Sequence, residues 1–107
     1  MMLISAVLEP SRVDIVKRAL QLFDVRGLTL SRVLVPVHGG EVEVYRGERW
    51  QATMHPRVRL DLLASNADTP DLARIVARAA QRDVRVWVTR VDDVVRIRTG
   101  EHGLEAL

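Results

Sequence analysis

An α+β domain with a four-stranded antiparallel sheet and both helices on one sheet face is what this sequence predicts. Three observations lead there. The apolar pattern changes period along the chain in the order strand, helix, strand, loop, strand, helix, strand. The length of 107 residues suits one domain with one core, residues 1–107. Aromatic residues make up only 4%, so Val, Leu, Ile and Ala must build that core, as in sheet-on-helix packing. Short chains of this order fold as a ferredoxin-like βαββαβ sandwich.

Met2 to Leu8 is an aliphatic, β-branched run and reads as the first strand. Pro10-Ser11 marks a helix start, with Ser11 as cap and Asp14 in the first turn. Val13, Val16, Leu20 and Phe23 recur at helical spacing, and Gly27 is expected to end the segment. Leu28 to Val37 is a second strand, whose Pro36 points to an edge position. A polar loop of about residues 37–54 follows. Within it Val42 and Val44 alternate with acids, so it can extend as a ribbon. Arg57 to Leu63 alternates cleanly, with Val58, Leu60 and Leu62 on one face. Thr69-Pro70-Asp71 signals the second helix, striped by Leu72, Ile75, Val76 and Ala79. Val84, Val86 and Val88 give a fourth strand, and Val91 to Ile97 a final short one. The tail from about 102 to 107 is expected to be flexible.

Composition narrows the function classes. There is no Cys, hence no thiol nucleophile, disulfide or Cys-ligated zinc. His38, His55 and His102 lack ligand spacing, so no metal site is expected. Glu41, Glu43 and Glu48 sit together in a solvated loop, where carboxylates keep ordinary acidity, and no enzyme is expected. The net charge is +2, and Lys17 is the only lysine. Arg is spread along the chain and aromatics are few, which argues against nucleic-acid binding. With no signal peptide and no long apolar run, a cytoplasmic location is expected.

The last predicted strand carries the sharpest local signal. Residues two apart on a strand face the same way, so Arg96 and Arg98 would present two guanidinium groups side by side. Such a pair needs carboxylates, with Asp92 or Asp93 at hand, or a bound anion. By pattern alone the two alternatives stand level.

The segment Val95-Arg96-Ile97-Arg98-Thr99-Gly100-Glu101 resembles the C-terminal signature of the PII family of nitrogen regulation, and Tyr45-Arg46-Gly47 resembles the Tyr-Arg-Gly of its effector loop. The opening Ile4 to Pro10, the turn Val25-Arg26-Gly27-Leu28-Thr29 and Pro56 to Leu60 fall in the same order and spacing. The resemblance implies a barrel-like homotrimer, with nucleotide sites in the clefts between subunits and a loop of about 37–54 that engages a target. It implies that Gly27, Thr29 and Leu63 lie near a base, and that Arg57, Arg85, Arg96 and Arg98 face phosphates or effector. His38, Tyr45, Arg46 and Trp50 would belong to the partner loop, and the target would be a membrane transporter or a metabolic enzyme.

Departures from the family pattern shape the expectation further. The Gly- and Lys-rich phosphate loop after the second helix is shortened, with Ala80-Gln81 running almost directly into Arg82-Asp83 and Arg85 standing in for its last Lys. That favours ADP or AMP over Mg-ATP as effector, with no cofactor required. Val35-Pro36-Val37-His38-Gly39 lacks the family's Gln, so 2-oxoglutarate sensing is not expected. Trp50 replaces a tyrosine that some members have uridylylated, which removes the acceptor hydroxyl. The sequence thus predicts a trimeric sensor of an adenine nucleotide or small anion. The alternative is a trimer that binds a target protein without any ligand.

Overall fold

A computed structural model describes residues 1–25, 27–45, 48–81 and 84–107, and for 37–45 and 48–52 it describes the backbone alone. Strand β1 (Met2–Leu8) leads through a 3-10 turn (Pro10–Arg12) into α1 (Val13–Leu22); β2 (Thr29–Tyr45) and β3 (Glu48–Ala64) follow, then α2 (Thr69–Ala80) and β4 (Val86–Arg90). A second 3-10 turn, Gly103–Ala106, lies near the C-terminal end. The sheet order is β2-β3-β1-β4, and every neighbouring pair is antiparallel. This is the predicted ferredoxin-like arrangement.

Strand alternation decides which side chains meet the helices. Ile4, Ala6 and Leu8 of β1 and Leu60, Leu62 and Ala64 of β3 are buried. They share one core with Val16 and Leu20 of α1 and Leu72, Val76 and Ala80 of α2. One parity of both central strands thus packs against the apolar stripes of both helices, which places the helices on one sheet face. The register puts Leu60 opposite Ala6 on one side and Leu30 on the other, at the centre of the sheet. Arg12 ties the helices together at their ends: its Nε and Nη2 donate to the Ala79 carbonyl at 3.2 and 2.7 Å.

The expected effector loop is a β-ribbon rather than an irregular loop. The β1 ladder ends at Leu8 opposite Val58, and beyond it β2 and β3 continue as two strands paired out to Tyr45 and Glu48. A register shift between His38 and Val42 absorbs extra residues of β2. Pro36 and Pro56 both lie in this two-stranded part, where each strand has a free edge that needs no proline N–H.

Three local expectations need correction. Gly27 does not end α1. Asp24 takes the left-handed conformation at φ 63°, and its N–H and that of Val25 donate to the carbonyls of Gln21 and Leu20, the double closure of a Schellman motif. Ser11 does not cap a helix with its side chain; at the start of α2, Thr69 Oγ1 donates to the Ser65 carbonyl at 2.8 Å, and Ser65 Oγ accepts from the Asp68 N–H. The third correction concerns the strand from Val91 to Ile97, which does not form. Only an isolated bridge joins Val95 to His102. The Asp93 carboxylate accepts from the backbone N–H groups of Val94 and Gly103, and the Gly103 N–H is shared with the Val94 carbonyl within that one bridge. Arg96 and Gly100–Glu101 then close a tight turn by their own backbone bonds, with Gly100 at φ 73°.

Gln81, at the C-terminal end of α2, stands at φ 55° and ψ 174°. That region is reached without strain only by glycine, and a side chain there costs on the order of 1–3 kcal/mol. The expected result for Gln81→Gly is a stability gain of about 1 kcal/mol, after the extra chain entropy of glycine is subtracted. A urea titration reads it as a higher midpoint; an unchanged or lower one contradicts the strain.

Candidate functional site

The predicted ligand residues other than Arg98 gather into two hollows. The first, of about 910 Å³, lies between the end of α1, the start of β2, the end of β3 and the C-terminal tail. Gly27, Thr29, Leu63 and Arg96 line it, together with Asp61 and Asp68. Its walls are largely aliphatic, with the Phe23 ring, the hydroxyls of Thr29 and Ser65, the carboxylates of Asp24, Asp61 and Asp68, and the Arg96 guanidinium. Such a lining fits a flat, partly apolar ring that carries polar edges, and the volume is that of a small-molecule site. Gly27 leaves open space, since a Cβ there would meet nothing within 4 Å.

The second hollow, of about 450 Å³, is formed by β1, β3, β4 and the end of α2. Arg57 and Arg85 line it with Val7, Glu9, Gln81 and Trp87, so its two guanidiniums outnumber one carboxylate. Arg57 Nη1 donates to the Pro56 carbonyl at 2.8 Å, which directs one nitrogen to the backbone and leaves the rest of the fork for another acceptor. Two guanidinium groups at one hollow suit an anion.

Arg96 and Arg98 are not a same-face pair. Arg96 precedes the turn, whereas Arg98 sits within it, away from both hollows. Arg96 is not neutralised by Asp92 or Asp93; its Nη2 donates to the carbonyls of Ala106 and Leu107 at 3.2 and 3.4 Å. Asp93 is committed elsewhere, to Val94 N, Gly103 N and His102 Nδ1. The Val94 N–H bond leads in holding its carboxyl below the usual carboxylate range; desolvation opposes it, and His102 and Gly103 add to the lowering. His38, Tyr45 and Trp50 have their side chains outside the described residues, and Arg46 lies outside them altogether. Among the described residues there is no cluster of metal-ligating side chains and no helix long and apolar enough to cross a membrane.

The open face of the sheet holds a network that sequence reasoning saw only in part. Arg59 pairs with Asp61 at 3.1 Å, two residues along the same strand face. Ser5, with no exposed surface, donates to Asp61 Oδ1 at 2.6 Å. The Arg59 guanidinium also stacks over the Trp87 ring at 5.3 Å. A lone Ser between Ile4 and Ala6 in an apolar strand was the available signal for a polar contact across the sheet. Its partner follows from register, since Ser5 faces Asp61 on one side and Trp87 on the other.

A four-stranded sheet of this order, with two separate hollows and a long β2–β3 ribbon, defines a small α+β domain of the ferredoxin-like class. Residues 1–101 match the family described as nitrogen regulatory protein P-II. The chain is 31% identical to the nitrogen regulatory protein P-II of Rhizobium meliloti (strain 1021) over 109 aligned positions, covering 97% of each chain. It is 33% identical to nitrogen regulatory protein P-II 1 of Methanothermobacter thermautotrophicus, covering 97% of this chain and 95% of that one. The corresponding protein of Azospirillum brasilense is 30% identical, with 97% of each covered. The chain belongs to the PII family of nitrogen-regulatory signal-transduction proteins. Proteins of this family are regulators, not enzymes.

Proposed function

We propose that the protein is a homotrimer that senses an adenine nucleotide or a small anionic metabolite in clefts between subunits and signals to a target protein through the β2–β3 ribbon. One observation carries the reading. Gly27, Thr29, Leu63 and Arg96 line one hollow, and Arg57 and Arg85 line another, on the same chain. A base pocket and an anion pocket that are separate on one chain become one site when two chains set them face to face. The shortened segment after α2 favours ADP or AMP over Mg-ATP, because fewer phosphates need holding. The target is a membrane transporter or a metabolic enzyme, and the site of action is cytoplasmic. A ligand-independent trimer that contacts its target constitutively is the second reading, and the engagement of Arg96 by its own tail favours it.

The test pairs calorimetric titration of ADP, AMP and ATP with light scattering. A trimer that binds ADP is expected, and Arg57→Ala and Arg96→Ala should each weaken ADP roughly tenfold or more, as loss of a charge-assisted phosphate contact does. A trimer that binds none of the three nucleotides supports the ligand-independent reading. A monomer in solution overturns both.

A further inference from the structure

Arg96 is an expected anion ligand whose side chain is already engaged by backbone that walls its own hollow. Its Nη2 donates to the carbonyls of Ala106 and Leu107, and both of those residues line the same hollow as Thr29 and Leu63. Two left-handed glycines bring the tail there, Gly100 at φ 73° and Gly103 at φ 64°. The second turn is pinned by the Gly103 N–H, which donates to the Val94 carbonyl at 3.0 Å and to Asp93 Oδ1 at 3.1 Å. The Leu107 N–H bond to the Leu104 carbonyl at 3.3 Å closes the last turn. The bonds to Arg96 are long and solvent-exposed, and the Ala106 carbonyl is a neutral acceptor. Phosphate oxygens bond a guanidinium about twice as strongly as neutral acceptors do. The tail is therefore an occupant that an anion can replace.

We propose that residues Gly103 to Leu107 form a latch that covers the donor edge of Arg96 and swings away when an anion takes that edge. The proposal rests on the anion-binding reading of Arg96. It adds that the tail and the ligand compete for one guanidinium, so the closed latch lowers apparent affinity by the fraction of chains held shut. The coupling is reciprocal: ligand opens the tail, and an opened tail binds ligand more tightly.

Hydrogen exchange of the full chain, read by mass spectrometry on the peptide covering 103–107, tests the latch with ADP and with inorganic pyrophosphate as probes. Two variants isolate its parts. Arg96→Ala removes the donor. Gly103→Val penalises the left-handed turn, where a β-branched side chain is disfavoured, and a Cβ at Gly103 meets nothing within 4 Å. Both variants should speed exchange of the tail roughly three- to tenfold, the scale of a few exposed hydrogen bonds or one strained turn, while the core peptides stay unchanged. In the unsubstituted protein ADP should speed tail exchange likewise, and Gly103→Val should bind ADP roughly three- to tenfold more tightly. Unchanged tail exchange in Arg96→Ala overturns the latch, as does saturation with either anion that leaves the tail protected. Displacement by pyrophosphate with no ADP binding sustains the latch and overturns adenine recognition instead. If neither anion acts on the tail of the unsubstituted protein or of Gly103→Val, the latch is overturned.

Discussion

Leu60→Ala should lower stability by about 3 kcal/mol, within the range of roughly 2–5 kcal/mol seen for large-to-small core changes. Leu60 is fully buried at the centre of the sheet, flanked by Ala6 and Leu30. Strands on both sides and helices above limit how far the site can collapse around the missing methyls, so most of the cavity should persist. For a domain whose whole stability is on the order of 5–15 kcal/mol, this is a large fraction. Urea unfolding at fixed protein concentration measures it, which keeps any contribution from self-association constant. Leu63→Ala is the control three positions along β3 and on the opposite face, where the side chain is 37% exposed. It should cost under about 1 kcal/mol. Equal losses at the two positions would contradict the register that assigns them to opposite faces.

That contrast shows why the sheet was legible in the sequence. Val58, Leu60 and Leu62 alternate with Arg57, Arg59 and Asp61, and a period of two admits only one assignment of faces. The helical stripes were equally plain, because Val16 with Leu20 and Leu72 with Val76 recur four residues apart. The ends of elements were less so. At the end of α1 the sequence offers Gly27 as the natural left-handed residue, yet Asp24 adopts that conformation, since Val25 is then placed to pack against the core beside Leu20. A local preference of under a kilocalorie or so gave way to burial of an apolar side chain.

The C-terminal segment misled for a related reason. Val94, Val95 and Ile97 have strand character, but a strand needs a neighbour, and here the Asp93 carboxylate and the two glycines offer the backbone a closer set of partners. The pairing of Arg96 with Arg98, read from a strand period, dissolved with the strand. The identity of Arg96, Gly27, Thr29 and Leu63 as neighbours could not follow from any period, because their meeting depends on the return of the tail across the end of β3. Arg57 and Arg85 likewise meet through the pairing of β1 with both β3 and β4. Family resemblance named these residues, and tertiary structure divides them between two hollows.

Asp61→Ala should cost about 2 kcal/mol, more than an ordinary surface ion pair, because it strands a buried hydroxyl. Ser5 has no exposed surface, and its Oγ donates to Asp61 Oδ1 at 2.6 Å; a buried donor left without an acceptor costs roughly 1–3 kcal/mol. The bond from Arg59 Nε adds less, since that guanidinium is 41% exposed and well screened. Asp61→Asn keeps an oxygen for Ser5 and loses the charge, so it should cost only about 1 kcal/mol. Adding Ser5→Ala to Asp61→Ala should recover most of the larger loss, and a double-mutant cycle reads this coupling directly. The pH dependence has a definite sign. Burial raises the Asp61 carboxyl, but bonds from Ser5 and Arg59 and the Arg59 charge outweigh it, so the folded pKa lies below the ordinary value of 3.8. The ionised group's contribution is therefore complete above the ordinary carboxylate range and is lost as pH falls through the lowered value. Stability of Asp61→Asn relative to the unsubstituted chain should narrow over that acid interval. A difference between the two that stays constant from neutral pH down to about pH 2 would mean the carboxylate is not stabilised by its neighbours.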